Sequence, residues 1–172
     1  MAQLESGWYA VQVRPKCERF VAEMLAMKGY ETLLPLYVEQ RRWSDRIKAL
    51  HRPLIPNYVF CHVTDDAIGP VVTTPRVVRM VGAGRSPIQV YAHEIEALRR
   101  IDANRLRAEP WPFAHIGQTV ELRDGPLSGI RGVLVRIKGE HRLVVSVTLL
   151  QRSVAVEVEA QAVVAVIGDR VA

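Results

Sequence analysis

Imidazole can act as general base, as partner to a nucleophile or as metal ligand, so the five histidines, His51, His62, His93, His115 and His141, are the first residues to test for chemistry. They are scattered. No HExxH sets two of them on one helical face, no GxSxG marks a nucleophile elbow, and neither cysteine has a histidine beside it in sequence. Cys17 and Cys61 lie 44 residues apart without a CxxC, which suggests neither a disulfide framework nor a zinc site; two buried thiols in a reducing compartment are expected. The GAG at residues 82–84 runs into Arg-Ser-Pro instead of a helix start, so it reads as a turn and not as a phosphate loop. Asp65 and Asp66 suit a helix N-terminus. The expectation is a protein that is not an enzyme and carries no metal and no cofactor.

The basic residues remain. Lysine and arginine total 23 against 18 acidic residues, a net charge of +5 that favours polyanionic partners without requiring them. The excess belongs to the first part of the chain, with 15 basic and 11 acidic residues up to position 106 against 8 and 7 beyond it. RRWSDRIKALHR, residues 41–52, sets Arg41, Arg42, Arg46, Lys48 and Arg52 around Trp43 with Asp45 as the one acid. It reads as a mobile hairpin tip able to reach nucleic acid or a protein partner. Arg14, Lys16 and Arg19 flank the start of a predicted helix and Arg76 follows in TPRV; such scattered cations equally suit a solvated face.

The elements that must position these residues change character along the chain. WYAVQVR, residues 8–14, alternates as a strand. Pro15 then opens a helix whose apolar residues Cys17, Phe20, Val21, Met24 and Leu25 recur at helical spacing, and Gly29 stops it. Further strands are predicted at 31–40, 57–63 and in VVRMV, with a short helix near Gly69 and Pro70 and an amphipathic helix from Ala92 to about Leu106. That is an α+β pattern, a small sheet with flanking helices. Around RLRAEPWPFAHIG the periodicity vanishes, giving a domain over 1–106, a linker at 107–116 and a second domain over 117–172. The second domain alternates throughout in five short strands, as expected of a small closed or nearly closed β-barrel.

PLIPNYVFCHV, residues 53–63, has apolar residues on both faces of one strand: Tyr58 and Phe60 on one, Val59, Cys61 and Val63 on the other. Two arrangements satisfy it. Either the strand is sandwiched between two layers of its own domain, or its second face is kept for a partner.

In DGPLSGIRG, residues 124–132, Asp124, Gly125 and Pro126 make a turn, while Gly129 and Gly132 suit positive φ or close backbone approach between adjoining strands. The whole of QTVELRDGPLSGIRGVLVRIKGEHRLVVSVTLLQRSVAVEVEAQAVVAV resembles the KOW domain of the NusG family of bacterial transcription factors. WYAVQVRPKCERFVAEML, RPLIPNYVFCHV and TPRVVRMVG resemble that family's NGN domain, in the family's order. The resemblance implies an NGN domain followed by an SH3-like KOW β-barrel, and a cytoplasmic, monomeric transcription elongation or antitermination factor. It implies that Pro53, Pro56, Tyr58 and Phe60 bind the clamp helices of the largest RNA polymerase subunit. Arg14, Lys16, Arg19 and Arg76 would face the non-template DNA strand, and Leu149, Leu150 and Arg152 a further partner such as a ribosomal protein.

Two departures bear on that reading. Housekeeping members use a phenylalanine in the barrel loop to contact termination factor Rho, where this chain has Leu150, which argues against Rho binding. No polar donor set like that of RfaH is visible near Gly69 and Pro70. Both favour a specialised paralogue over the housekeeping NusG. Eleven valines between Val133 and Val166 disfavour the helical refolding known in RfaH-like proteins. The rival reading is a ribosome-associated, RNA-binding KOW protein, which would lack the NGN part and carry more positive charge. MAQLESGWYA has no signal pattern, and no apolar run reaches the roughly 18 residues of a membrane helix, so a soluble protein with no membrane partner is expected.

Overall fold

A computed structural model describes residues 5–64, 68–113, 118–137 and 139–165. The chain divides into two compact units, Met1–Ile95 and Glu96–Ala172. In the first, the order is β1 (Gly7–Val13), α1 (Glu18–Met27), β2 (Glu31–Leu33), β3 (Leu36–Trp43), β4 (Arg46–Pro53), β5 (Tyr58–Val63), α2 (Ile68–Val72), β6 (Val77–Met80), β7 (Gly82–Ala83) and β8 (Ser86–Pro87). Helix α3 (Ala92–Ala103) carries the chain into the second unit.

The strands β2-β5-β1-β6 form one antiparallel sheet. Its odd-numbered face supplies a core of Tyr9, Val11 and Val13 from β1 and Val59, Cys61 and Val63 from β5, closed by Val21 and Leu25 of α1, Val71 of α2 and Met80. Helix α1 stops where expected, with Gly29 in the left-handed region at φ 89° donating its N–H to Ala26 O (2.9 Å), but it starts at Glu18 and not at Pro15, because Pro15 and the left-handed Lys16 (φ 64°) form a turn ahead of it. Its inward row is Glu18, Val21 and Leu25. Phe20, expected inward, is 45% exposed because it sits one residue, about 100° of helix, off that row.

The strand expected over 31–40 is interrupted. Pro35 has no N–H for a ladder, and the chain leaves the main sheet there; Pro35 O instead accepts the Leu54 N–H (2.8 Å). Beyond it β3 and β4 make their own two-stranded hairpin, paired through to Trp43↔Arg46. The basic stretch is therefore strand right up to its two-residue turn, not a loop. Asp65, Asp66 and His115 lie outside the described residues.

The second unit contains β9 (Ala108–Trp111), β10 (Gln118–Leu122), β11 (Arg131–Ile137), β12 (Glu140–Val147), β13 (Arg152–Glu157) and β14 (Val163–Ala165). They form an antiparallel sheet in the order β14-β10-β11-β12-β13-β9. Here the linker expectation is corrected: residues 108–111 are a sixth strand, with Val154 opposite Pro110 and Ser153 opposite Trp111. A proline inside a short AEPW run hides the pattern, yet β9 holds an outer position in the sheet order, where a missing N–H is tolerated. The boundary at 106 moves too. It falls inside α3, whose second half joins the second unit, with Arg100 Nη1 donating to Ser128 O (2.7 Å).

The glycines of DGPLSGIRG do what their spacing suggested. Gly129 has φ 80° and donates its N–H to Leu122 O (2.7 Å), while a Cβ on Gly132 would stand 2.5 Å from Val144 O of β12. The obstacle is backbone and cannot swing aside. Gly132→Ala is expected to destabilise the second unit by about 1–3 kcal/mol, read as a lower denaturant midpoint with an unchanged slope.

Candidate docking and nucleic-acid interface

The even-numbered face of the main sheet is organised in rows by register. Leu33, Phe60 and Ala10 form the middle row, and all three are buried, Phe60 and Ala10 completely. Phe60 is thus no part of an open surface, which corrects its expected place in a contact patch. The central residues of β5 are covered on both faces, the sandwiched arrangement of the two considered. One end row is Glu31, His62 and Trp8, with the His62 and Trp8 rings edge to face at 5.4 Å. The other is Tyr58, Gln12 and Arg79, where Arg79 Nε donates to Gln12 Oε1 (2.9 Å). Tyr58 and Gln12 are half-buried and Arg79 is exposed, so this end of the face stays open.

Pro53 is half-buried and Pro56 exposed beside it. Between Pro56 and Tyr58, Asn57 adopts φ 71°. Its N–H donates to Glu18 Oε1 (3.0 Å), which is why a carboxylate at the start of α1 is buried, and its carbonyl accepts the Val13 N–H (2.9 Å). Arg14 N–H donates to Arg76 O (3.0 Å), and Lys16 lies in the turn closed by Cys17 N–H to Arg14 O (3.1 Å). Lys16 (φ 64°) and Arg76 (φ 72°) are, like Asn57, left-handed residues with side chains. Such conformations cost of order 1–3 kcal/mol each, and three meet at this one end of the sheet. The structure therefore brings Arg14, Lys16 and Arg76 together, all exposed, with exposed Arg19 on the first turn of α1.

The expected partner residues of the second unit separate by burial. In the turn between β12 and β13, Leu150 is 9% exposed, so the apolar knob expected there is mostly packed inward; Leu149 is half-buried and Arg152 exposed. Near Gly69 and Pro70 the hydroxyls are engaged locally: Thr73 Oγ1 donates to Gly69 O (2.8 Å) and Thr74 Oγ1 to Pro70 O (2.9 Å). Lys28 Nζ donates to Thr74 Oγ1 and to Pro70 O (2.7 Å each), tying α1 to α2.

Both cysteines are free, Cys61 buried and Cys17 half-buried where both were expected inside. Burial pushes the Cys61 thiol up to about 12. Sequence reasoning missed Gln12, Asn57 and Arg79, because only the strand register and the backbone turn that pairs Val13 with Asn57 bring them beside Tyr58. Among the described residues no three His, Cys, Asp or Glu side chains gather as a metal site, and no helix is long and apolar enough to cross a membrane.

These features define a two-unit protein, an α+β unit and then one built on a six-stranded antiparallel sheet, whose open chemistry is aromatic and cationic. It belongs to the NusG family: the family model described as transcription termination factor nusG matches residues 6–99. The chain is similar to the transcription termination/antitermination protein NusG of Helicobacter pylori strain J99, 25% identical over 165 residues that cover 88% of this chain and 93% of the relative. It is 29% identical over 171 residues to that of Neisseria meningitidis serogroup B, covering 91% and 96%. The solved structure of Thermotoga maritima NusG shares the fold, with a TM-score of 0.60 and 22% identity over 92% of this chain and 96% of that one.

Two outcomes follow from burial. Phe60→Ala is expected to cost about 3–5 kcal/mol in a denaturant titration, and Tyr58→Ala no more than about 1 kcal/mol. The unfolded Cys61 thiol sheds its proton near pH 9 and the folded one only near 12, so this group's stabilising contribution is full below pH 9 and declines as pH rises from about 9 to 12. Cys61→Ala should flatten that part of the stability profile relative to the parent chain.

Proposed function

We propose that the chain is a non-enzymatic transcription elongation and antitermination factor that docks its first unit on the clamp helices of RNA polymerase and recruits a second partner through its second unit. One observation carries the docking half: in a NusG-family chain, the end of the even-numbered face next to Pro56 stays open and presents Tyr58 in one row with Gln12 and Arg79. An amphipathic ring with a polar rim is the usual anchor for a helical partner. Pro53 and Pro56 hold the approach to that strand, and buried Phe60 packs in the next row of the same face.

Arg14, Lys16, Arg19 and Arg76 serve the non-template DNA strand by neutralising phosphates, on a backbone rigid enough to fix where the charges stand. Leu149 and Arg152, underpinned by Leu150, are the second unit's contact, with a ribosomal protein the partner of suitable kind. A buried leucine in place of an exposed aromatic argues against Rho and for a specialised paralogue. The factor then works in the cytoplasm, as a monomer.

The test is recovery of polymerase on the tagged chain from lysate. Tyr58→Ala should lose the polymerase subunits while the folded chain persists; undiminished recovery, or ribosomal RNA in place of polymerase, would overturn the reading. Neutralising Arg14, Lys16 and Arg76 together should weaken the footprint on single-stranded DNA in a paused complex and reduce its salt dependence, and an unchanged footprint would remove DNA from this surface.

A further inference from the structure

We infer that the β3–β4 hairpin is a second binding element, whose one face takes a segment of single-stranded DNA. Antiparallel partners share a face, so the register sorts the hairpin into two unlike sides. One carries the pairs Tyr37↔Arg52, Glu39↔Leu50, Arg41↔Lys48 and Trp43↔Arg46; the other carries Val38↔His51, Gln40↔Ala49 and Arg42↔Ile47. Four of the five cations of this stretch and both its aromatic rings therefore lie on the first side, and a single arginine on the second. In sequence they look interspersed.

Every residue from 40 to 49 is exposed, so the outer half of the hairpin meets solvent on both sides. Trp43 keeps 61% of its surface open, opposite Arg46 at the turn. An exposed indole whose cross-strand partner is an arginine, with further cations along the ladder, makes a stacking platform joined to a phosphate track. Glu39, the one carboxylate on this side, is already taken: Arg52 Nε donates to Oε2, and Arg41 Nε lies 3.4 Å from Oε1. The Arg52 hydrogen bond holds that carboxyl below the usual range, with Arg41 adding to the effect, so it stays ionised and occupied. Stacking on Trp43 needs an unpaired base, which favours a single strand over a duplex, and the choice of DNA rests on the proposed function, in which this unit meets the non-template strand.

This surface is separate from the cluster of Arg14, Lys16 and Arg76, and needs no polymerase to be tested. The full chain is titrated into labelled oligothymidylate across a salt series and followed by fluorescence anisotropy. Trp43→Ala should weaken binding about 5- to 100-fold with the salt slope kept, and Trp43→Phe should restore most of the loss. The paired change Arg46→Ala with Lys48→Ala should flatten the slope of log affinity against log salt by about 0.7 for each cation removed. Arg42→Ala and Ile47→Ala, on the opposite side of the same hairpin, should bind like the parent. The inference is overturned if Arg42→Ala weakens binding as much as the loss of Arg46 and Lys48, if Trp43→Ala binds like the parent, or if duplex DNA or oligouridylate binds more tightly. Loss of polymerase recovery by Tyr58→Ala is a separate readout, so either result stands without the other.

Discussion

Six residue pairs, from Gly7↔Val63 to Gln12↔Tyr58, lock β1 against β5. Because side chains alternate, a slip of one residue would exchange the odd-numbered core for the even-numbered face along the whole ladder. The register is held on both sides: Tyr9, Val11, Val13, Val59, Cys61 and Val63 are buried on one, Ala10 and Phe60 on the other. What this leaves for a partner is decided by position along the strand, not by face. Tyr58 stays accessible because it is the last residue of the ladder, where cover runs out.

The same ladder brings the cationic corner into being. Val13 ends β1, its N–H donates to Asn57 O just before β5, and the next residue, Arg14, donates to Arg76 O just before β6. Glu18 closes the arrangement by accepting the Asn57 N–H while tucked under the start of α1. A helix start, a strand start and a turn from three distant parts of the chain thus share one hydrogen-bonded knot, and the exposed side chains of Arg14, Lys16 and Arg76 are carried on it.

Much of the architecture was legible in the sequence, since helical and strand periods are written directly in residues such as Val21 and Leu25 or Val11 and Val13. The glycines at 129 and 132 announced a turn and a close approach, and both are present. What could not be read depends on long-range pairing. β9 contains a proline and takes its identity from β13. Phe60 looks like an ideal surface anchor until Leu33 and Ala10 are placed in its row. Likewise the two unlike sides of the β3–β4 hairpin exist only once the turn at Ser44 and Asp45 fixes which residues stand opposite. The resemblance to the NusG family supplied the order of the units, but not the accessibility of any one side chain.

Lys16 and Arg76 are places where backbone comfort and surface charge pull against each other. Glycine would relax either position and remove its cation in the same step, so a selection for heat resistance alone should drift toward glycine there.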